Sequence, residues 1–177
     1  SENSELISIG KEAFSQSSLQ SISIPSSVIE ICENAFSNCR NLTNCKFTNE
    51  LNSNLIVIKK YAFANSSLQN ISMPSSLTEI EEYAFSFCDQ LREISFPDTS
   101  ELKLIGESAF RKSSLQIIYI PSKVTKIMKF TFSKCKCLKI VSFYRDSQLK
   151  TIEKFAFYKS AIENLIIPKD VDDLEEG

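Results

Sequence analysis

The 177-residue sequence contains no histidine and no tryptophan, and only 3 of its residues are glycine. Histidine is the commonest general base in enzymes and the commonest zinc ligand, so its absence removes the usual means of catalysis and of metal binding. No acid/base pair and no nucleophile–base set is recognisable in the remaining residues. The sequence therefore predicts a protein that is not an enzyme, with no catalytic residues, no metal and no cofactor.

Strong net charge and long apolar runs are also missing. The formal net charge is -2, which predicts no attraction of the chain to nucleic acid. No apolar run approaches the roughly 20 residues of a membrane-spanning helix, so this segment is not expected to insert into a membrane. The polar and acidic N-terminus, Ser1 to Glu5, is unlike a signal peptide. Hydrophobic residues make up 42% of the chain, enough for a continuous core.

A repeat dominates what the sequence does contain. An Ala-Phe pair, once replaced by Thr-Phe, recurs with gaps of 22, 27, 22, 25, 22 and 25 residues. Isoleucine stands five residues before each phenylalanine, and leucine or valine stands three residues before that. A Leu-x-x-Ile-x-Ile pattern follows each phenylalanine. The phenylalanines are Phe14, Phe36, Phe63, Phe85, Phe110, Phe132 and Phe157.

This repeat predicts a solenoid of about seven stacked coils, because one coil cannot bury its apolar face alone. The last two apolar positions of Leu-x-x-Ile-x-Ile are two residues apart, which favours a strand in a parallel sheet with about 4.8 Å between coils. The Leu/Val-x-x-Ile segment predicts a second, shorter extended stretch. The Ala-Phe segment predicts one tight helical or 3-10 turn with the phenylalanine pointing inward.

The segment from Leu68 to Cys88, LQNISMPSSLTEIEEYAFSFC, resembles the BspA-like leucine-rich repeat. That family's unit is a strand ending in Ile-Pro, then Ser-Val-x-x-Ile, then Ala-Phe-x-x-Cys. The resemblance extends over residues 6–174 and implies an α/β leucine-rich-repeat solenoid with its parallel sheet on the concave face. It also implies a cell-surface or secreted parent protein of bacteria or protists that adheres to host or neighbouring-cell proteins. Serine replaces the cysteine in every second coil, at Ser17, Ser66, Ser113 and Ser160.

Residues 1–177 are predicted to form a single solenoid domain, and both ends stop inside a coil. Leu6-x-x-Ile9 is the second half of a coil whose preceding strand is missing, and Val171-x-x-Leu174 opens an eighth coil that lacks an Ala-Phe turn. Solenoids need polar caps on their terminal repeats. We therefore expect a fragment of a longer array, whose uncapped ends expose apolar surface or associate end to end with another copy.

The six cysteines bear on the compartment. Cys39, Cys88 and Cys135 share one register and are two coils apart, so roughly 10 Å separates their backbones. A disulfide needs alpha carbons within about 7 Å, so we expect that these three do not pair with each other. Cys45 replaces an inward isoleucine, and Cys32 and Cys137 occupy more variable positions. The pair Cys135-x-Cys137 has no second half-site, so it does not predict zinc. Unpaired thiols favour a reducing compartment, which makes a cytoplasmic scaffold for protein–protein interactions the alternative to the surface module.

The outward strand positions carry the predicted partner-binding surface. These positions are polar in coils 1 to 4 and largely apolar in coils 5 to 7. Adjacent exposed apolar residues often mark a binding surface, although isoleucine and tyrosine also favour strands wherever they occur. The predicted residues on the concave face are Lys46, Asn70, Glu93, Ile117, Tyr119, Ile140, Ser142 and Ile166. A second aromatic row, Tyr61, Tyr83, Phe130 and Phe155, precedes the Ala-Phe position and is interpreted as partly exposed packing on the convex side.

Overall fold

The computed structural model describes residues 4–49 and 52–175, so residues 1–3, most of the acidic N-terminal segment, lie outside it. The described residues form fifteen short strands and no α-helix. The strands are β1 (Ser8–Ile9), β2 (Ser21–Ile24), β3 (Glu30–Ile31), β4 (Asn44–Phe47), β5 (Val57–Ile58), β6 (Asn70–Ser72), β7 (Glu79–Ile80), β8 (Glu93–Ser95), β9 (Leu104–Ile105), β10 (Ile117–Ile120), β11 (Lys126–Ile127), β12 (Ile140–Phe143), β13 (Thr151–Ile152), β14 (Asn164–Leu165) and β15 (Asp173–Leu174).

The strands confirm the predicted seven-coil parallel solenoid. Odd-numbered strands pair only with odd-numbered strands, in the orders β1-β3-β5-β7-β9 and β11-β13-β15. Even-numbered strands pair in the orders β2-β4-β6-β8 and β10-β12-β14. Every pairing is parallel and joins equivalent positions of successive coils, as in Ile22 with Cys45 and Ile118 with Val141. We call the two sheets of even-numbered strands together the long-strand sheet. Its inward residues face the core and its outward residues face solvent.

A ladder of phenylalanine rings runs through the core. Successive rings from Phe14 to Phe157 stack almost parallel, with centroids 5.0 to 5.6 Å apart. The five inner rings are fully buried, as the repeat predicts. Stacked aromatic pairs contribute about 0.5–1.5 kcal/mol each beyond the area they bury, so the ladder ties each coil to the next.

The predicted helical turn around Ala-Phe is wrong. In coil 1 the amides of Ala13, Ser15 and Ser17 donate to carbonyls three residues earlier, but the amides of the residues between them donate to the next coil. Phe14 N–H, for example, donates to the Ala35 carbonyl at 2.8 Å. The segment is therefore a run of β-turns in which every second amide joins the hydrogen-bond ladder between coils. A helix would direct all of these amides along its own axis and leave the coils unconnected.

This alternation requires left-handed backbone at two positions of every coil. The residue before Ala or Thr and the residue two after Phe have φ between 54° and 62°, and none of them is glycine. Tyr83 and Asn65 are examples, with φ of 57° each. Such φ values cost non-glycine residues about 1–2 kcal/mol. In coils 1 to 4 the amides of these same residues donate to the next coil, as Tyr83 does to the Glu107 carbonyl at 3.0 Å, which offsets the cost.

Apolar side chains are exposed at both ends of the described solenoid. Leu6 and Ile7 are exposed in the first coil, and Leu174 is exposed in the last strand. That the chain is a fragment of a longer array, and that its ends associate with another copy, both stay predictions. Across residues 4–49 and 52–175, no helix has the length and apolar content needed to cross a membrane.

Candidate functional site

The outer face of the long-strand sheet changes character along the solenoid. In coils 1 and 2 its exposed residues are polar, as at Ser21 and Lys46. In coils 5 to 7 it exposes large apolar side chains: Ile117 is 39% exposed, Tyr119 57%, Ile140 46% and Ile166 87%. Strand alternation produces this arrangement, because the residues between them, Ile118 and Val141, point into the core. We call Ile117, Tyr119, Ile140 and Ile166 the apolar patch.

Three members of the apolar patch lie on the paired strands β10 and β12. Ile117 pairs with Ile140 across β10 and β12, and Tyr119 pairs with Ser142. Ile140 in turn pairs with Asn164 of β14. Directly opposite residues of neighbouring strands have Cβ atoms about 4.5–5.5 Å apart, so these side chains form one continuous surface.

One depression of about 460 Å³ lies at the coil 4 edge of the apolar patch. It is lined by four predicted residues, Asn70, Glu93, Ile117 and Tyr119, together with Arg92, Phe96, Gln116 and Tyr144 among others. Within the described residues, β8 and β10 belong to separate hydrogen-bonded sheets, so the depression lies where strand pairing is interrupted. It brings charged groups of coil 4 against apolar groups of coil 5.

A second depression of about 490 Å³ lies on coils 6 and 7. It is lined by the predicted residues Ile140, Ser142 and Ile166, and also by Tyr144, Arg145 and Lys169 among others. The structure thus collects seven of the eight predicted residues into two adjoining depressions. Lys46 lies on the same sheet in coil 2 but lines neither of them.

Tyr144 separates the two depressions and lines both, a role that the repeat pattern does not predict. Its hydroxyl donates to Asp98 Oδ1 at 3.2 Å, across 46 residues of sequence. Partial burial, the hydrogen bond to Asp98 and that carboxylate's negative charge raise the pKa of the Tyr144 hydroxyl. The sequence contains one signal for this residue: Tyr144 directly follows its strand, at a position where five of the other coils have proline.

The apolar patch and its two depressions offer apolar side chains, a tyrosine hydroxyl and a rim of charged groups that includes Arg92, Glu93 and Arg145. Within residues 4–49 and 52–175, no group of three or more Cys, Asp or Glu side chains is arranged to hold a metal ion.

Sequence comparison matches six copies of the BspA type leucine rich repeat region, over residues 2–55 and 56–177. The chain belongs to the BspA-type leucine-rich-repeat family. No curated protein matches its sequence at a significant level.

Solved structures of other leucine-rich-repeat proteins have the same fold as this BspA-type chain. A protein from Bacteroides ovatus is 27% identical with a TM-score of 0.71, over 96% of this chain and 49% of that one. A T. pallidum protein is 24% identical with a TM-score of 0.71, over 96% of this chain and 67% of that one. A leucine rich cell surface protein from Faecalibacterium prausnitzii is 20% identical with a TM-score of 0.57, over 96% and 64%. The BspA-type chain therefore spans about half the length of the Bacteroides ovatus protein.

The cysteines of the BspA-type repeat are free thiols held by the stacking of coils. Cys39, Cys88 and Cys135 are buried, and each donates its S–H to the carbonyl of the phenylalanine one coil earlier. Cys45 faces the core, as its register predicts, and burial raises the pKa of its thiol to about 12. Cys32 is half-buried and Cys137 is exposed, which confirms the expectation for these two variable positions.

The second aromatic row packs between coils of the BspA-type array. Tyr61 and Tyr83 stack with centroids 4.9 Å apart, and Phe130 and Phe155 stack at 5.3 Å. All four side chains are half-buried, and Lys60 and Lys129 place ammonium groups over Tyr61 and Phe130. These contacts confirm the interpretation of this row as partly exposed packing.

Proposed function

We propose that this chain is a non-catalytic adhesion module that presents the apolar patch of coils 5 to 7 to a protein partner on a host or neighbouring cell. The single observation that carries the proposal is the in-register exposure of Ile117, Tyr119 and Ile140 on a sheet whose remaining outward residues are mostly polar. Contiguous apolar surface with a polar rim is typical of protein-binding sites.

The composition of the surface favours a protein over a small ligand. Tyr119 is a large, rigid side chain with a polar tip, the kind of residue that often dominates interface energies. Arg92, Glu93 and Arg145 at the rim offer charged groups for pairing and for orienting the partner. The two adjoining depressions, separated by Tyr144, give the surface relief that a partner's side chains can fill.

A cell-surface location is supported by the BspA-type repeat, because the resemblance to this family implies a surface or secreted parent protein. The Faecalibacterium prausnitzii leucine rich cell surface protein, at 20% identity, shares the fold. Because this chain spans only part of its structural relatives, the partner and location of the whole parent protein belong to the proposal.

Binding to intact cells tests the proposal. Ile117→Glu combined with Tyr119→Ser introduces a charge and removes the aromatic ring on exposed positions, so folding is retained. We expect binding of the labelled chain to fall at least about tenfold, the loss typical of one or two removed interface hot spots. Prior protease treatment of the cells should also abolish binding of the unaltered chain, since the partner is a protein.

A matched control uses the same strand positions in the polar half of the sheet. Ser21→Glu with Ser23→Thr changes the equivalent residues of β2 and leaves the apolar patch intact. This variant should bind as the unaltered chain does. Retained binding by the Ile117/Tyr119 variant would exclude the apolar patch as the site.

The second candidate function is an intracellular scaffold, which the free thiols favour. All six cysteines are unpaired, and unpaired thiols are typical of reducing compartments. Antibodies against this segment distinguish the two locations on cells of the source organism. Staining of unpermeabilised cells supports the surface module, and staining only after permeabilisation supports the scaffold.

A further inference from the structure

The small net charge of the chain conceals a strong segregation of charge. Residues 103–159 contain 13 Lys and Arg but only 3 Asp and Glu, a local net charge of +10. Residues 1–102 contain 6 basic and 13 acidic residues, and residues 160–177 contain 1 and 6. The expectation of no basic field, which rests on the total of -2, thus fails for coils 5 to 7.

Fewer than half of the 16 lysines are neutralised by a carboxylate from another coil among the described residues. Seven such ion pairs exist among the described residues, for example Lys60–Glu82 at 2.7 Å and Lys126–Glu153 at 3.2 Å. The other five join Lys11, Lys59, Lys123, Lys139 and Lys150 to acidic residues.

Four of the nine lysines that have no such pair in the described part of the chain converge. Lys112, Lys134, Lys136 and Lys159 line one depression of about 510 Å³ together with Ser113, Ser114 and Cys137. No carboxylate of residues 4–49 or 52–175 lies within 4.0 Å of these four ammonium groups. The depression shares no residue with the two depressions of the long-strand sheet.

Three of the lysines occupy one register of consecutive coils. Lys112, Lys134 and Lys159 each lie two residues after the phenylalanine, with φ of 58°, 62° and 54°. The Lys112 and Lys134 amides donate to the next coil at 2.9 and 2.7 Å, which fixes the backbone of the row. Coil spacing of about 4.8 Å holds the three positively charged residues in a line, where they repel one another. Coils 1 to 4 have Gln16, Asn38, Asn65 and Phe87 at the same position.

We propose that Lys112, Lys134, Lys136 and Lys159 form a binding site for a sulfated polysaccharide. A linear polymer with an anionic group on successive sugars matches a straight row of ammonium groups about 10 Å long. Binding relieves the repulsion within the row and releases counterions from the polymer, so affinity arises from charge without a deep pocket.

The surroundings of the row favour a sulfated polysaccharide over nucleic acid. Single-stranded nucleic acid is held by bases stacked on free aromatic rings. Here Lys112 Nζ lies over the Phe87 ring at 4.6 Å and Lys159 Nζ lies over the Tyr158 ring at 5.1 Å, so one face of each ring already carries an ammonium group. The depression is lined by lysine and not by arginine. Arginine is the residue preferred for nucleic-acid recognition, because its planar guanidinium group forms paired hydrogen bonds with phosphates and base edges.

Charge-removing substitutions test the site. Lys112, Lys134 and Lys159 are replaced together by glutamine, which the register tolerates because Gln16 occupies it with φ of 60°. Affinity for size-defined heparin at physiological salt should fall at least about tenfold, and the slope of log affinity against log salt should become shallower by about 2 to 3. The matched control replaces Lys103, Lys126 and Lys154, three exposed lysines outside all three depressions, by glutamine. The control should lose less than about threefold.

Cys137 supplies a second readout inside the same depression. Its exposed thiol should react with a maleimide more slowly when heparin is bound, and this protection should be absent in the Lys112/Lys134/Lys159 variant. Equal loss of heparin affinity in both triple variants would show that heparin is held by diffuse charge attraction and not by this row, and would overturn the proposal. Failure of the unaltered chain to bind heparin would overturn the proposal.

Two further ligands test whether the lysine row prefers a sulfated polysaccharide to other polyanions. Desulfated heparin and single-stranded DNA of matched charge should both bind at least about tenfold more weakly than heparin. DNA binding as tight as heparin binding would reassign the row to nucleic acid and overturn the proposal. Neither outcome bears on the apolar patch, whose test uses different residues and protease-sensitive partners.

Discussion

The Ser66 hydroxyl oxygen lies 3.4 Å from the sulfur of Cys88 in the next coil, and both side chains are buried. The Cys88 thiol in turn donates to the Phe63 carbonyl at 3.1 Å. The same relationship joins Ser17 to Cys39 and Ser113 to Cys135. The serine that departs from the family pattern is therefore the partner of the next coil's cysteine, and the two alternate because they form one hydrogen-bonded unit.

Removal of one member of this pair should destabilise the chain more than removal of both. Cys88→Ala leaves the buried Ser66 hydroxyl without its sulfur partner, and an unsatisfied buried hydroxyl costs about 1–3 kcal/mol. Adding Ser66→Ala should recover part of that loss, and Cys88→Ser should be milder because its hydroxyl offers the same hydrogen bonds. Urea unfolding of the unaltered chain, Ser66→Ala, Cys88→Ala and the double variant gives the coupling free energy between the two side chains, and a value near zero would contradict the pairing.

Alkaline pH should destabilise the chain through its buried thiols. Burial raises the pKa of Cys45 to about 12 and that of Cys88 to about 11, above the ordinary value of 9.0. A group whose pKa is raised on folding contributes its stability below the unfolded pKa and loses it as pH rises toward the folded value. The free energy of unfolding should thus fall above pH 9, by up to about 1.4 kcal/mol per pH unit for each thiol.

The variant Cys45→Val isolates one thiol, because it fills the same inward position of β4 without a titrating group. Between pH 9 and 11 this variant should lose less stability than the unaltered chain. Parallel curves for the two chains, measured by urea unfolding at each pH, would contradict the assignment.

Close contact between coils should make one glycine indispensable and another replaceable. Gly106 and Gly10 follow the isoleucine of their coils at the same position. A Cβ on Gly106 would lie 2.6 Å from the backbone of Glu81 and Glu82, whereas a Cβ on Gly10 meets no atom within 4 Å. Gly106→Ala should lower the free energy of unfolding by about 1–3 kcal/mol, and Gly10→Ala should leave it almost unchanged. Equal effects of the two substitutions would contradict the described stacking.

The left-handed positions predict that two substitutions of one exposed residue have different effects on the free energy of unfolding. Asn65 has φ of 57°, and its amide donates to the Ser86 carbonyl at 3.0 Å. Glycine adopts this conformation without strain, so Asn65→Gly should change stability by less than about 1 kcal/mol. Asn65→Val should destabilise the chain by about 1–2 kcal/mol, because a β-branched side chain crowds the backbone at positive φ. Thermal or urea unfolding distinguishes the two, and an unaffected valine variant would exclude the left-handed turn.

The coil count, the parallel strands and the inward phenylalanines were predictable, because the spacing of apolar residues sets which side chains face the core. The turns were not, since Ala-Phe alone does not reveal whether the amides before and after Phe36 bond within the turn or to the next coil. Tyr144 was missed because it contacts Asp98 two coils away, outside any repeat register. The lysine row was missed because a total charge carries no information on where Lys112 and Lys134 lie.

The most direct test of the binding surface is site-specific photo-crosslinking on intact cells. A benzophenone amino acid placed at Tyr119 reports contacts of the apolar patch, and one placed at Ser23 reports the equivalent position of the polar half of the long-strand sheet. We predict a covalent adduct with a cell-surface protein from position 119 and none from position 23. Adducts of equal yield from both positions, or an adduct from position 23 alone, would contradict the assignment of the binding surface to coils 5 to 7.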